Sequence, residues 1–288
     1  MKHVSPVLFL LAASTLHAQT WSCGSGKAAL GGTALSPATV YGGTQAGWDL
    51  KFAPEQVGPT GCSSSKPFYF SAPVAEGNYD VTVVLGGPTA AVTTIKAEAR
   101  RPMSVRVNTP SRGYRTEQFT VNVRRPEIAD GTVVKRKPRE IGSLDWDEKL
   151  TLEFGGDHPS LRSISIKPAP SNTPTIYLAG DSTVTDQEHE PWASWGQMLP
   201  AFLRSGIAVA NNAESGETIR SFVGEKRFAK IFSVIKPGDY LLMQFGHNDQ
   251  KPGSGYVAPE VYADLLRKYI AMAPVSYTHL TLPTIYSV

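Results

Sequence analysis

Between Trp21 and Lys167 apolar and polar residues alternate in short runs: Tyr79-Asp-Val-Thr-Val83, Phe119-Thr-Val-Asn-Val123, Leu150-Thr-Leu-Glu-Phe154 and Leu161 to Ile166. A period of two turns one face of a strand toward a core and the other toward water. Gly, Pro, Asn and Asp clusters separate the runs and no helical period intervenes, so residues 21–167 are expected to form an antiparallel β-sandwich. Lys167-Pro-Ala-Pro-Ser-Asn-Thr-Pro174 carries three prolines and no apolar period, which makes residues 168–174 an extended linker. The pattern then changes. Apolar strands at Thr175 to Leu178, Ile207 to Ala210 and Tyr240 to Phe245 alternate with helical periods at Pro191 to Arg204, Thr218 to Ile235 and Pro259 to Met272. Such alternation over residues 175–273 predicts a doubly wound α/β unit with a parallel sheet.

The two ends of the chain read differently from the rest. Met1-Lys-His3, the apolar run Val7 to Ala13 and a small residue at Ala18 have the pattern of a secretory signal peptide over residues 1–18. The expectation is a secreted or periplasmic protein with no membrane association once the signal is cleaved. Its two cysteines, Cys23 and Cys62, then meet an oxidising compartment, where they either pair or stay free. With 28 Lys and Arg against 25 Asp and Glu the net charge is +3, too small to suggest a nucleic-acid partner. At the far end, Val275-Ser-Tyr-Thr-His-Leu-Thr-Leu-Pro-Thr284 reads like translated library-adapter sequence and continues no βα pattern. Residues 274–288 are therefore expected to be a non-native tail on a truncated α/β domain.

In a parallel α/β sheet, reactive groups gather in loops just past the carboxyl ends of strands. Three loops qualify. Ala179-Gly180-Asp-Ser182-Thr follows the first strand and presents a serine hydroxyl on a sharp turn. Asn211-Asn-Ala-Glu-Ser-Gly216-Glu-Thr follows the second and offers a bare backbone N–H, and Gln244-Phe-Gly246-His-Asn248-Asp follows the third with a side-chain amide. A hydroxyl with several hydrogen-bond donors at one sheet edge is what acyl transfer requires. The order and spacing of Gly180-Asp-Ser-Thr-Val-Thr-Asp, Trp195-Gly, Asn212-Ala-Glu-Ser-Gly216 and Gln244-Phe-Gly-His-Asn-Asp-Gln250 resemble the SGNH, or GDSL, hydrolases, and specifically their rhamnogalacturonan acetylesterase branch. The resemblance implies a flavodoxin-like domain, Ser182 as nucleophile, and the N–H groups of Ser182 and Gly216 with the Asn248 amide as the oxyanion hole. It implies no metal or organic cofactor. It also implies acetylated plant cell-wall polysaccharide as substrate and a galactose-binding-like sandwich ahead of the esterase. A related hydrolase of lipid or aryl esters, and a non-catalytic carbohydrate binder, stay open as alternatives.

The chain departs from that family in one respect: the late Asp-x-x-His that supplies the triad acid and base is absent from it. Asp186-Gln-Glu-His189 has the spacing but lies four residues past Ser182, where His189 is expected to be a solvent-facing loop residue. His247, Trp192 and Trp195 are weaker candidates for substrate contact, the two tryptophans being read first as core packing. Asp181 and Asp249 read as turn-formers. The basic stretch Lys135-Arg-Lys-Pro-Arg139, with Arg124 and Arg125, is expected to be a solvated strand edge or a contact for acidic polysaccharide.

Overall fold

A computed structural model describes residues 18–23 and 32–272; residues 1–17, where a signal sequence is expected, and 273–288, which include the expected tail 274–288, lie outside the described residues. In chain order the first part holds β1 (Gln19–Cys23), β2 (Thr33–Leu35), β3 (Gly47–Trp48), β4 (Gln56–Gly58), β5 (Gly61–Ser63), β6 (Phe68–Pro73) and β7 (Gly77–Gly86). It continues with β8 (Ala91–Ala97), β9 (Arg101–Thr109), β10 (Tyr114–Val123), β11 (Lys149–Asp157), β12 (Ser160–Leu161) and β13 (Ser163–Pro168). They build two five-stranded sheets, β10-β7-β13-β1-β2 and β3-β6-β11-β8-β9, and a small sheet β12-β5-β4. Alternation along β7 and β8 turns every second side chain inward. Trp21, Val83, Leu85 and Ile164 from one large sheet meet Trp48, Phe70, Ile95 and Phe154 from the other in a single core.

Pairing is antiparallel except between β1 and β2, which run parallel. This corrects the expected all-antiparallel sandwich: period two fixes which face is buried and leaves strand direction open. Cys23 and Cys62 are joined within this core, with Cα atoms 5.4 Å apart. Closing a loop of 39 positions constrains the unfolded chain by about 3 to 4 kcal/mol.

The second part holds β14 (Thr175–Gly180), α1 (Trp195–Met198), β15 (Ala208–Asn211), α2 (Ile219–Gly224), α3 (Arg227–Val234), β16 (Tyr240–Gln244) and α4 (Pro259–Met272). Its sheet has the order β15-β14-β16 with both pairs parallel. Successive side chains of β14 take opposite faces: Tyr177 and Ala179 pack with Phe222, Phe228 and Tyr269 of the helices, while Leu178 packs with Val184 and Leu199. The period read over Pro191 to Arg204 yields only α1 and a short 3₁₀ turn, Leu199–Phe202. Ser194 caps α1, leaving Trp192 outside, and Pro200 interrupts the α-type ladder. The Thr218 to Ile235 segment divides where Lys226 adopts a left-handed φ of 63°.

Buried charge joins the two parts. Arg101 of β9 donates through Nη1 to the Val209 carbonyl of β15 at 3.1 Å, and its Nε lies 3.4 Å from Asp186 Oδ2. Arg124, just past β10, stacks 4.6 Å over the Trp146 ring and lies 3.5 Å from Asp145. Glu98, Asp145 and Asp186 thus face two guanidiniums, all of them buried, so one negative charge is in excess. Burial pushes Glu98 well above the usual carboxylate range against the pull of Arg101. Burial and then the Asp145 charge push Asp186 up to about 7 against Arg101 and Arg124.

A carboxyl that titrates higher in the folded chain holds a proton the unfolded chain releases, so its contribution is full below about pH 4 and fades as pH rises toward 7. Urea midpoints measured between pH 5 and 8 should therefore fall less with rising pH in Asp186→Asn than in the parent chain. An unchanged slope would show that Asp186 is not the proton holder.

Candidate active site

The first loop is fixed by its glycine and its aspartate. A Cβ on Gly180 would meet Val184 Cγ2 at 2.6 Å and the Gln244 carbonyl at 2.7 Å, so only glycine lets β14 turn here. Asp181 is 1% exposed; its Oδ1 accepts from Thr183 N and Oγ1, both at 2.9 Å, and its carbonyl accepts from Val184 N and Thr185 N. Ser182 stands at the apex of that turn, half-buried, and its carbonyl is held by Gln187 Nε2 at 3.1 Å.

The second loop is tied to the first. Asn211 Nδ2 donates to the Val184 carbonyl at 2.7 Å and to Asp186 Oδ1 at 2.9 Å, Thr185 Oγ1 donates to the Ala213 carbonyl at 2.9 Å, and Glu214 N donates to the Gly180 carbonyl at 3.2 Å. Gly216 follows at φ +81°, exposed to solvent.

The third loop is tied to the second. Asp249, 2% exposed, accepts from Gly246 N at one oxygen and from Ile219 N, the first residue of α2, at the other, both at 2.8 Å. Asn248 Nδ2 donates to the Glu217 carbonyl at 2.9 Å, and its Oδ1 accepts from Lys251 Nζ at 2.7 Å. These bonds fix the amide plane, and a primary amide keeps a second N–H for another acceptor. Gly180 pairs with Gln244 across β14 and β16, so the first and third loops leave the sheet at one level.

Several candidates sit elsewhere than expected. Trp192 and Trp195 are 68% and 38% exposed rather than core residues, because α1 begins after Trp192 and turns Trp195 outward to donate to Gln244 Oε1 at 2.5 Å. His189 is exposed, and the buried Asp186 carboxylate is engaged by Asn211 and Arg101 rather than by the imidazole. His247 is exposed beside Asn248. A cavity of about 160 Å³ runs alongside the first two loops, lined by Arg124, Trp146, Asp186, His189, Trp192 and Ser215 among others.

The basic stretch lies outside any strand, and part of it is engaged within the fold. Lys137 and Arg139 both donate to the Ser215 carbonyl, at 2.8 and 2.5 Å. Glu140 is buried against Arg227 at 2.5 Å, and Arg227 also donates to the Asn212 carbonyl at 3.3 Å. Burial opposes ionisation of Glu140, yet Arg227, the Lys137 N–H and the Trp146 indole together hold it below its usual range. The only sign of these contacts in the sequence is the density of charge at Lys135–Arg139; their partners lie some 75 or more positions away.

Residues 176–285 match the GDSL-like lipase/acylhydrolase family. The α/β unit is therefore similar to domains of the GDSL/SGNH class. Within that class it is similar to rhamnogalacturonan acetylesterase RhgT of Bacillus subtilis (strain 168), 52% identical over 79 residues that make up 27% of this chain and 34% of that protein. It is also similar to the probable rhamnogalacturonan acetylesterase YesY of the same organism, 42% identical over 114 residues, 38% of this chain and 52% of that one. The rhamnogalacturonan acetylesterase of Emericella nidulans is 37% identical over 90 residues, 31% and 34% of the two chains. The chain thus spans between 34% and 52% of the length of these curated relatives.

Asp249→Ala removes the acceptor from two backbone N–H groups in a buried setting and should destabilise the chain by about 2 to 6 kcal/mol, at roughly 1 to 3 for each unpaired donor. Chemical denaturation checks this, and a loss under 1 kcal/mol would mean that the two loops hold together without it.

Proposed function

We propose that the chain belongs to an exported serine O-acetylesterase that removes acetyl groups from pectic polysaccharide such as rhamnogalacturonan. Ser182 attacks the acetyl carbonyl, and the Ser182 and Gly216 N–H groups with the second Asn248 N–H receive the oxygen as it gains charge. The observation that carries this reading is the bonding of the three loops to one another: Gly180 to Glu214, Thr185 to Ala213, Asn248 to Glu217. Such bonds hold donors where charge develops, so no reorganisation is needed at the moment of reaction. The similarity to proteins named rhamnogalacturonan acetylesterase supports the substrate class, and the Cys23–Cys62 bridge supports export. The two-sheet part acts as a galactose-binding-like module beside the catalytic cleft. Within these 288 residues neither Asp186-Gln-Glu-His189 nor a later Asp-x-x-His supplies the triad acid and base: Asp186 is engaged by Asn211 and Arg101, and the spacing does not recur.

Acetate release from acetylated rhamnogalacturonan tests this. A chain extended along its native reading frame should be active and Ser182→Ala of it inactive, while the 288-residue chain should turn over slower by a factor on the order of 10⁴ to 10⁶. Asn248→Ala of the extended chain should lose about 10² to 10³ in rate. Robust release by the 288-residue chain would contradict the missing base, and faster cleavage of long-chain or aryl esters would contradict the substrate.

A further inference from the structure

Lys137 and Arg139 lie outside residues 176–285, yet both spend their charge on one backbone carbonyl of the α/β unit. We propose that the Lys137-Pro-Arg139 strap is a positioning device that aims the Gly216 N–H into the catalytic crevice; this rests on Gly216 being an oxyanion donor. The geometry carries the step. A trans peptide is planar, so the Ser215 carbonyl and the Gly216 N–H point in opposite directions. Two cations that capture the carbonyl on the strap side hold the N–H toward the other side. That N–H makes no hydrogen bond among the described residues.

The strap grips the loop on both flanks as well. Arg139 Nε donates to Glu214 Oε1 at 2.7 Å, and Lys137 Nζ pairs with the buried Glu217 carboxylate. The strap itself is anchored: Glu140 accepts from the Lys137 N–H at 2.8 Å and from the Trp146 indole at 3.1 Å, and pairs with Arg227. Peptide planes flip readily beside a glycine, because glycine tolerates both signs of φ. Gly216, at φ +81° and exposed, is such a position, and the two cations remove that freedom. Charge-assisted bonds to the carbonyl also polarise the peptide, which strengthens its N–H as a donor.

The arrangement makes the sheet-rich part a working piece of the site rather than an appended module. It also predicts that variants of Lys137 and Arg139 weaken binding of a tetrahedral oxyanion by more than the stability lost through the unpaired Glu217 and Glu214 carboxylates accounts for.

The test uses the 288-residue chain labelled with ¹⁵N-glycine, with the Gly216 resonance assigned by its loss in Gly216→Ala. Lys137→Met and Arg139→Met should each shift that resonance upfield, because the peptide loses a charge-assisted partner on its carbonyl and its N–H is polarised less. Arg139→Lys should stay near the parent, and Gly246, held by Asp249, should not move. A Gly216 resonance unchanged in the double variant overturns the strap, as does equal movement of all the glycine signals.

Methylboronic acid supplies the second readout. Ser182 Oγ adds to boron, the hydroxyl proton passes to water and boron becomes tetrahedral and negative, an adduct visible by ¹¹B NMR. The double Met variant should bind it about tenfold more weakly than the parent. Equal binding by the two chains overturns the strap's role at the oxyanion. No adduct in the parent, with Gly216 still answering to the strap variants, supports the strap alone; failure of the esterase reading shows instead as no acetate release by the extended chain.

Discussion

The junction between the two parts is set by buried ions that meet their counter-charges across it. An apolar seam between the two parts would tolerate sliding; a buried guanidinium left without its partner would cost several kcal/mol, so each must meet its partner. Arg101 reaches the Val209 carbonyl and Asp186 across the junction, and Arg227 reaches Glu140. Arg101 ends on Asp186 beside the first loop, and Arg227 also donates to the Asn212 carbonyl of the second. Docking of the sheets and shaping of the site are thereby one event.

That coupling accounts for the way the three loops are built. β14, β15 and β16 bring their carboxyl ends to one edge, as a parallel sheet requires. The sheet alone does not set the loops' mutual angle. Asn211, Thr185 and Asp249 do so from inside the α/β unit, and Lys137, Arg139 and Glu140 do so from outside it. The half-buried hydroxyl of Ser182, the N–H of Gly216 and the amide of Asn248 are left at the surface of this scaffold, the placement that a solvent-borne ester needs.

What could be read in the sequence was local. The turn at Gly180-Asp-Ser182 and the Asn248-Asp249 turn announce themselves by residue type at fixed spacing, and the alternation in β7 and β8 announces a buried face. The direction of β2, the split at Lys226 and the outward setting of Trp192 were not legible, because each is decided by contacts that periodicity does not encode. The cations at 137 and 139 were visible only as a charged stretch, and their partners at 214, 215 and 217 belong to another part of the fold. A run of Lys and Arg carries no sign of whether it is solvated or engaged.

The central claim is that three neighbouring loops converge on a single negatively charged oxygen. A crystal structure of the methylboronate adduct at Ser182 tests it most directly. The account predicts one boronate oxygen within about 2.7 to 3.1 Å of Ser182 N, Gly216 N and Asn248 Nδ2 together. An adduct whose oxygens all face solvent, with Gly216 N or Asn248 Nδ2 beyond hydrogen-bond reach, would contradict it.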